Sequence, residues 1–283
     1  MKTHSRITLV AGDGPLAAAI ARTQIELDGG VLLARPEGDP AGDAALAAEL
    51  GCRFWPRGYG AWDSAAGAVA EARAAFGGLD ALVHAPLQSA AKAGDKTGAK
   101  TGAKAGGGIL AAEPWAAEAA LRDPLFQAYY LAAAAAPVLR KDGALLFVGD
   151  ASGVFGAPDD AARAAANAGL RGLMLAAARE LAPRGLRANL LLPLQGGAPE
   201  AAARIAAWLC AADAEGPSGQ VFLCRDNALW LLGQGGMGTG GETRRIARLD
   251  RPWDIAALRQ ATRDAFSPYY FQAGVEADHL AQP

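Results

Sequence analysis

The sequence predicts an α/β fold built as a doubly wound parallel sheet. Three observations carry this. Short, continuously apolar runs recur along the chain, as strands covered on both faces do. They alternate with stretches of helical character, which places helices on both sides of the sheet. Those stretches are rich in alanine, which favours helix and lets helices approach a sheet and one another closely.

The elements follow in order. Ile7-Thr8-Leu9-Val10-Ala11 reads as a buried strand, followed by glycines and a helix over 17–27. A second strand over 31–34 is closed by Pro36, and a helix over 43–50 leads to a short segment at 52–55. Asp63 or Ser64 is placed to cap the next helix, which ends near Phe76 with Gly77-Gly78 as its stop. A strand over 81–84, a long helix over 125–139, a strand over 144–148, a helix over 161–181 and a strand over 188–192 come next. A helix over 200–211 and a strand over 220–224 complete the series.

Two segments break the pattern. Residues 92–108 repeat Lys-Thr-Gly-Ala, carry no large apolar side chain and are full of glycine. Such a stretch buries too little surface to offset its ordering entropy and reads as a flexible surface loop. A basic anion-binding loop is the alternative. The second break is the tail, where glycines over 235–241 resemble a hinge, Asp254 caps a helix through Phe266, and Tyr269-Tyr270-Phe271 form an aromatic cluster. That cluster docks on its own domain or on a partner subunit. The organisation is therefore a main domain over 1–233, with a flexible Lys/Gly-rich insertion at about 88–110, and a C-terminal extension over 234–283.

Composition narrows the function classes. The chain of 283 residues is 52% hydrophobic and 20% charged, enough for a sizeable core. A net charge of −2 with no dominant basic patch argues against nucleic acid or an anionic membrane as the main partner. Cys52, Cys210 and Cys224 are scattered and odd in number, as are His4, His84 and His279, so neither a disulfide framework nor a metal cluster is expected. The first apolar run is too short for a signal peptide, and no run is long enough to span a bilayer. A soluble, cytoplasmic protein is expected.

Gly143-Ala-Leu-Leu-Phe-Val-Gly-Asp-Ala-Ser-Gly153, the following alanine-rich helix, Gly172, Glu180-Leu-Ala-Pro-Arg-Gly-Leu-Arg-Ala-Asn189 and Pro193 form one connected pattern. Phe76-Gly-Gly-Leu-Asp-Ala-Leu-Val83 precedes it and Gly219-Gln220-Val221-Phe222 follows it. In this order, the segments resemble the short-chain dehydrogenase/reductase family, which implies a Rossmann-like fold and hydride transfer with a nicotinamide cofactor. The resemblance also implies a catalytic serine, tyrosine and lysine with a helper asparagine. Those positions fall on Asp150, Arg163 and Asn167, with the asparagine on or beside Pro124. Arginine stays protonated at neutral pH and asparagine does not titrate. No tyrosine lies between Tyr130 and Tyr269 to restore the motif. Asp150 and Arg163 read as a structural ion pair, with a novel acid/base pair as the alternative.

The nucleotide end departs from the family in the same way. A dinucleotide loop uses glycines so that backbone can approach the pyrophosphate at a helix N-terminus. Gly12 and Gly14 stand as its remnant, Pro15-Leu16-Ala17 replace the rest, and Asp13 points a negative charge toward any phosphate. His84-Ala85-Pro86 stand where the family has Asn-Asn-Ala-Gly. His84 reads as a strand-end histidine satisfied by its neighbours rather than a base. Arg35 stands about where the family keeps an acidic ribose reader; it reads as a surface arginine, with 2′-phosphate recognition as the alternative.

Taken together, the resemblance implies a degenerate, non-catalytic member: no cofactor in this chain, and NAD in an active paralogue that it stabilises or completes. The implied assembly is a heterotetramer through the helices over 125–139 and 161–181. The second of these carries Ala161, Ala162, Ala164, Ala165, Ala166 and Ala168 for close packing. Heteromeric relatives with one inactive subunit act on hydroxyacyl-CoA-type substrates; the 2-(α-hydroxybenzyl)succinyl-CoA dehydrogenase is a similar case. Two alternatives stand beside this: an active NAD(P)-dependent oxidoreductase with an unorthodox site around Asp150, Arg163 and His84, and a small-molecule sensor on the same fold.

Overall fold

The structure, a computed structural model, describes residues 5–36, 40–86, 114–157, 160–212, 216–232, 243–248 and 252–266. The chain begins with strand β1 (Ile7–Gly12), helix α1 (Gly14–Glu26), β2 (Gly30–Ala34), α2 (Pro40–Leu50), β3 (Arg53–Trp55), α3 (Trp62–Phe76) and β4 (Leu79–Ala85). It continues with α4 (Pro114–Ala135), β5 (Leu139–Val148), α5 (Ser152–Phe155), α6 (Ala161–Leu181), β6 (Arg187–Pro193) and α7 (Pro199–Cys210). It closes with β7 (Val221–Arg225), β8 (Ala228–Leu232), β9 (Thr243–Arg248) and α8 (Ile255–Phe266). All nine strands form one sheet in the order β3-β2-β1-β4-β5-β6-β7-β8-β9. The first seven are parallel and the last two join antiparallel.

Side chains alternate between the two faces of the sheet, and each face has its own core. Leu9, Leu32, Phe147 and Leu190 point to one face, beneath Ala68 of α3, Leu131 of α4 and Met174 of α6. Val10, Leu33, Val83 and Leu191 point to the other, beneath Ile20 of α1, Ile205 and Trp208 of α7 and Leu258 of α8. The strand order reverses direction between β1 and β4. The loops at their carboxyl ends splay apart there and leave a crevice, the usual place for a ligand in such a sheet.

Each expected strand and helix is present, with shifted ends. The helix expected over 125–139 is α4, which starts at Pro114 and gives way at Ala136–Val138 to one 3-10 turn. It runs through Pro124, which forfeits one helical hydrogen bond without ending the helix. β5 accordingly begins at Leu139 rather than at residue 144. At α3 the N-cap is Ala61, not Asp63 or Ser64; Ser64 Oγ accepts from Ala61 N at 3.3 Å, serving the cap from the first turn. Gly77 closes that helix in the left-handed conformation at φ 78°, where a side chain would be strained.

β8 and β9 were not anticipated, and they extend the sheet past residue 225. Trp253 beyond them is buried, and its indole N–H donates to Asn227 O at 2.8 Å. Asp254 caps α8 as expected, its Oδ1 accepting from Ala257 N at 2.7 Å. The segments over 92–108 and 235–241 and the aromatic cluster Tyr269-Tyr270-Phe271 lie outside the described residues. Among the described residues, no helix is long and apolar enough to cross a membrane, and no group of His, Cys, Asp or Glu could hold a metal.

Candidate functional site

Two clusters of polar side chains form at the carboxyl ends of the strands. The first lies beyond β5. Asp150 follows the strand by two residues, and its backbone N–H donates to Asn167 Oδ1 at 2.9 Å. Its carboxylate accepts from Ser152 N at 2.7 Å, which sets the start of α5. The other carboxylate oxygen meets Arg163 Nη1 at 3.1 Å, so the expected ion pair forms. Arg163 also pairs with Asp160 at 2.5 Å, and Asp160 caps α6 by accepting from Arg163 N. Asn167, one turn further along α6, donates to Arg163 O at 3.0 Å and reaches Ser152 Oγ at 3.4 Å.

Three positions singled out from the sequence, Asp150, Arg163 and Asn167, are therefore in direct contact with one another. Pro124 sits on α4 and has no polar side-chain atom to offer them. Both Asp150 oxygens are engaged within the cluster, at 14% side-chain exposure, and Arg163 is held between two carboxylates.

The second cluster lies at the crevice, where β1 meets α1. Gly12 is pressed against β4: a Cβ there would stand 2.0 Å from Ala85 O, so only glycine fits. Asp13 is anchored by its N–H to Ala85 O at 3.2 Å and forms the N-cap of α1. Its Oδ1 accepts from Gly14 N at 2.6 Å, and the same oxygen pairs with Arg35 Nε at 3.3 Å. Pro15 follows in the first turn and brings no N–H. The positive end of the helix dipole thus meets a carboxylate of the chain itself.

His84 departs from expectation. It is 0% exposed on β4, and neither ring nitrogen has a hydrogen-bond partner. Its neighbours are apolar backbone-paired strands and the edge of Tyr59, with ring centroids 6.0 Å apart. With no acceptor for a second proton, burial lowers its pKa to about 3, so the imidazole is neutral and closed off from solvent. Tyr59, which sequence reading did not single out, is equally buried with an unpartnered hydroxyl. Burial raises its pKa, and the nearby Asp13 charge raises it further. Its place beneath the crevice depends on the loop after β3 folding back, which no local pattern reports.

A cleft of about 410 Å³ opens at the crevice between the β1–α1 turn and the loops after β4, β6 and β7, with Asp13, Pro86, Pro193, Gly197 and Cys224 in its wall. Asp150, Arg163 and Asn167 are not in its wall. Cys224 is no nucleophile there, because burial pushes its thiol up to about 12.

Residues 10–195 match the family model described as enoyl-(acyl carrier protein) reductase. No match was found among curated proteins. Solved structures similar to the chain include a short-chain dehydrogenase from Mycobacterium avium, at 21% identity, over 95% of this chain and 97% of that one, with a TM-score of 0.70. A short-chain dehydrogenase/reductase from Brucella melitensis, described as a glucose/ribitol dehydrogenase, shares 22% identity over 78% and 95% with a TM-score of 0.67. The TT0495 protein from Thermus thermophilus shares 27% over 78% and 97% with a TM-score of 0.63.

Proposed function

The chain belongs to the short-chain dehydrogenase/reductase family, and from that membership we propose that it is a non-catalytic subunit. In this reading it pairs with an active, NAD-dependent relative and stabilises it or completes its cleft, in the oxidation of a hydroxyacyl-CoA-type substrate. The observation that carries the proposal is the closed network of Asp150, Arg163 and Asn167. Where the family keeps a tyrosine and a lysine for proton transfer, Arg163 and Asn167 stand instead, tied to Asp150 by an ion pair and hydrogen bonds.

The nucleotide end supports the same reading. The residues present do not fit a dinucleotide: Asp13 directs a carboxylate to the head of α1, Pro15 removes a donor, and Ala17 packs against Gly12.

The partner surface is assigned to α4 and α6, which pack together with Leu125 against Gly169. Phe126 and Tyr129 on α4 are 47% and 55% exposed, and Trp62 stands beside them through Tyr130. An outward aromatic group of this kind suits a buried interface. On α6 the alanines divide: Ala162 and Ala166 face the core, whereas Ala165 and Ala168 face outward. The outward pair allows close approach of a second helix.

The test is to isolate the complex from the native host. The expected result is a stable assembly with a family member that carries the intact tyrosine and lysine, with dehydrogenase activity lost when that member's tyrosine is replaced. Turnover by this chain alone would refute the proposal and favour an unorthodox active site.

A further inference from the structure

We infer that Asp13 is a built-in anion: its carboxylate occupies the place at the head of α1 where a diphosphate would sit, so the fold retains a phosphate site that its own side chain keeps closed. The inference rests on the reading that this chain does not take a dinucleotide, and it names the group responsible.

The geometry is that of a bound anion. One oxygen, Oδ1, receives both the Gly14 N–H at 2.6 Å and the Arg35 guanidinium at 3.3 Å. Those two donors come from separate elements, the first turn of α1 and the end of β2, and converge on the same atom. The 13-residue helix adds its dipole in the same direction. Asp13 is also in the wall of the cleft, so the position it fills is reached from solvent. The backbone leaves the carboxylate little choice, because Asp13 N is tied to Ala85 O at 3.2 Å and Gly12 is wedged against the same carbonyl. A helix head and an arginine converging on one carboxylate are arranged for negative charge.

Removing the carboxylate should turn the site into one that accepts an anion from solution. The test compares thermal unfolding of the wild type, Asp13→Gly, Asp13→Ser and Asp13→Gly/Arg35→Ala, with and without inorganic pyrophosphate at constant ionic strength. Asp13→Ser keeps an N-cap with a shorter, uncharged side chain, so it remains informative if Asp13→Gly folds poorly. Both single variants should melt lower than wild type without the anion. Pyrophosphate at ten times its dissociation constant should then raise their melting temperature by roughly 3–5 °C. The wild type and the double variant should not respond. Single variants that ignore pyrophosphate, beside an unresponsive wild type, would overturn this inference and leave the non-catalytic reading intact. A wild type that is itself stabilised would overturn both.

Discussion

Replacing His84 by leucine isolates the acid sensitivity that one buried imidazole gives this fold. His84 is 0% exposed, and its two ring nitrogens have no partner. Its pKa in the folded chain falls to about 3 through burial, against about 6.5 in an unfolded one. Below pH 6.5 the unfolded chain takes up a proton that the folded chain refuses. The stability tied to this group is therefore complete above pH 6.5 and is lost as pH falls toward 3. The slope is about 1.4 kcal/mol per pH unit, or roughly 2 kcal/mol between pH 7 and pH 5. Leucine is of similar size and cannot titrate, and it removes two unsatisfied polar atoms, so His84→Leu should be neutral to about 2 kcal/mol stabilising at pH 7. Urea unfolding of both proteins at pH 7, 6 and 5 measures the difference, in which carboxylate contributions common to both cancel. The gap should widen in favour of the leucine variant by about 2 kcal/mol over that range. Parallel pH profiles would refute the reasoning, since they would mean that the imidazole accepts a proton in place.

Other perturbations probe the remaining features. Asp150→Ala removes the acceptor of Ser152 N and a carboxylate partner of Arg163; a loss of about 1–3 kcal/mol in urea unfolding is expected, because Asp160 still serves the arginine. Gly12→Ala drives a methyl into Ala85 O, and the strain between β1 and β4 should cost about 2–3 kcal/mol by the same assay. Tyr59→Phe removes an unpartnered buried hydroxyl and should leave stability unchanged or raise it by about 1 kcal/mol. Phe126→Arg with Tyr129→Arg should abolish assembly with the proposed partner in light scattering while shifting the melting temperature of the isolated chain little, since both side chains are about half exposed.

The sheet was legible because strands buried on both faces must be apolar throughout, and helix ends leave glycine, proline and capping signals. The expected strands from β1 to β7 all appear. Where the reading fell short, the deciding contacts were not local. The long helix was expected only from residue 125, yet α4 starts at Pro114 and passes through Pro124, packed on α6 through Leu125 and Gly169. β8 and β9 carry mixed sequences, Ala228–Leu232 and Thr243–Arg248, and their strand character depends on a neighbour already in the sheet. In the site, the pairing of Asp150 with Arg163 was visible from the family positions they hold and from their opposite charge. The isolation of His84 was not, because it follows from β1, β5 and Tyr59 closing around it. Arg35 likewise looked like a surface arginine until the β1–α1 turn brought Asp13 to it.

Calorimetric titration of the isolated wild-type chain with NAD(H) and NADP(H) tests the central claim most directly. With Asp13 closing the head of α1 and Asp150, Arg163 and Asn167 bound to one another, no saturable heat is predicted at millimolar cofactor. One-to-one binding to either cofactor would contradict the account.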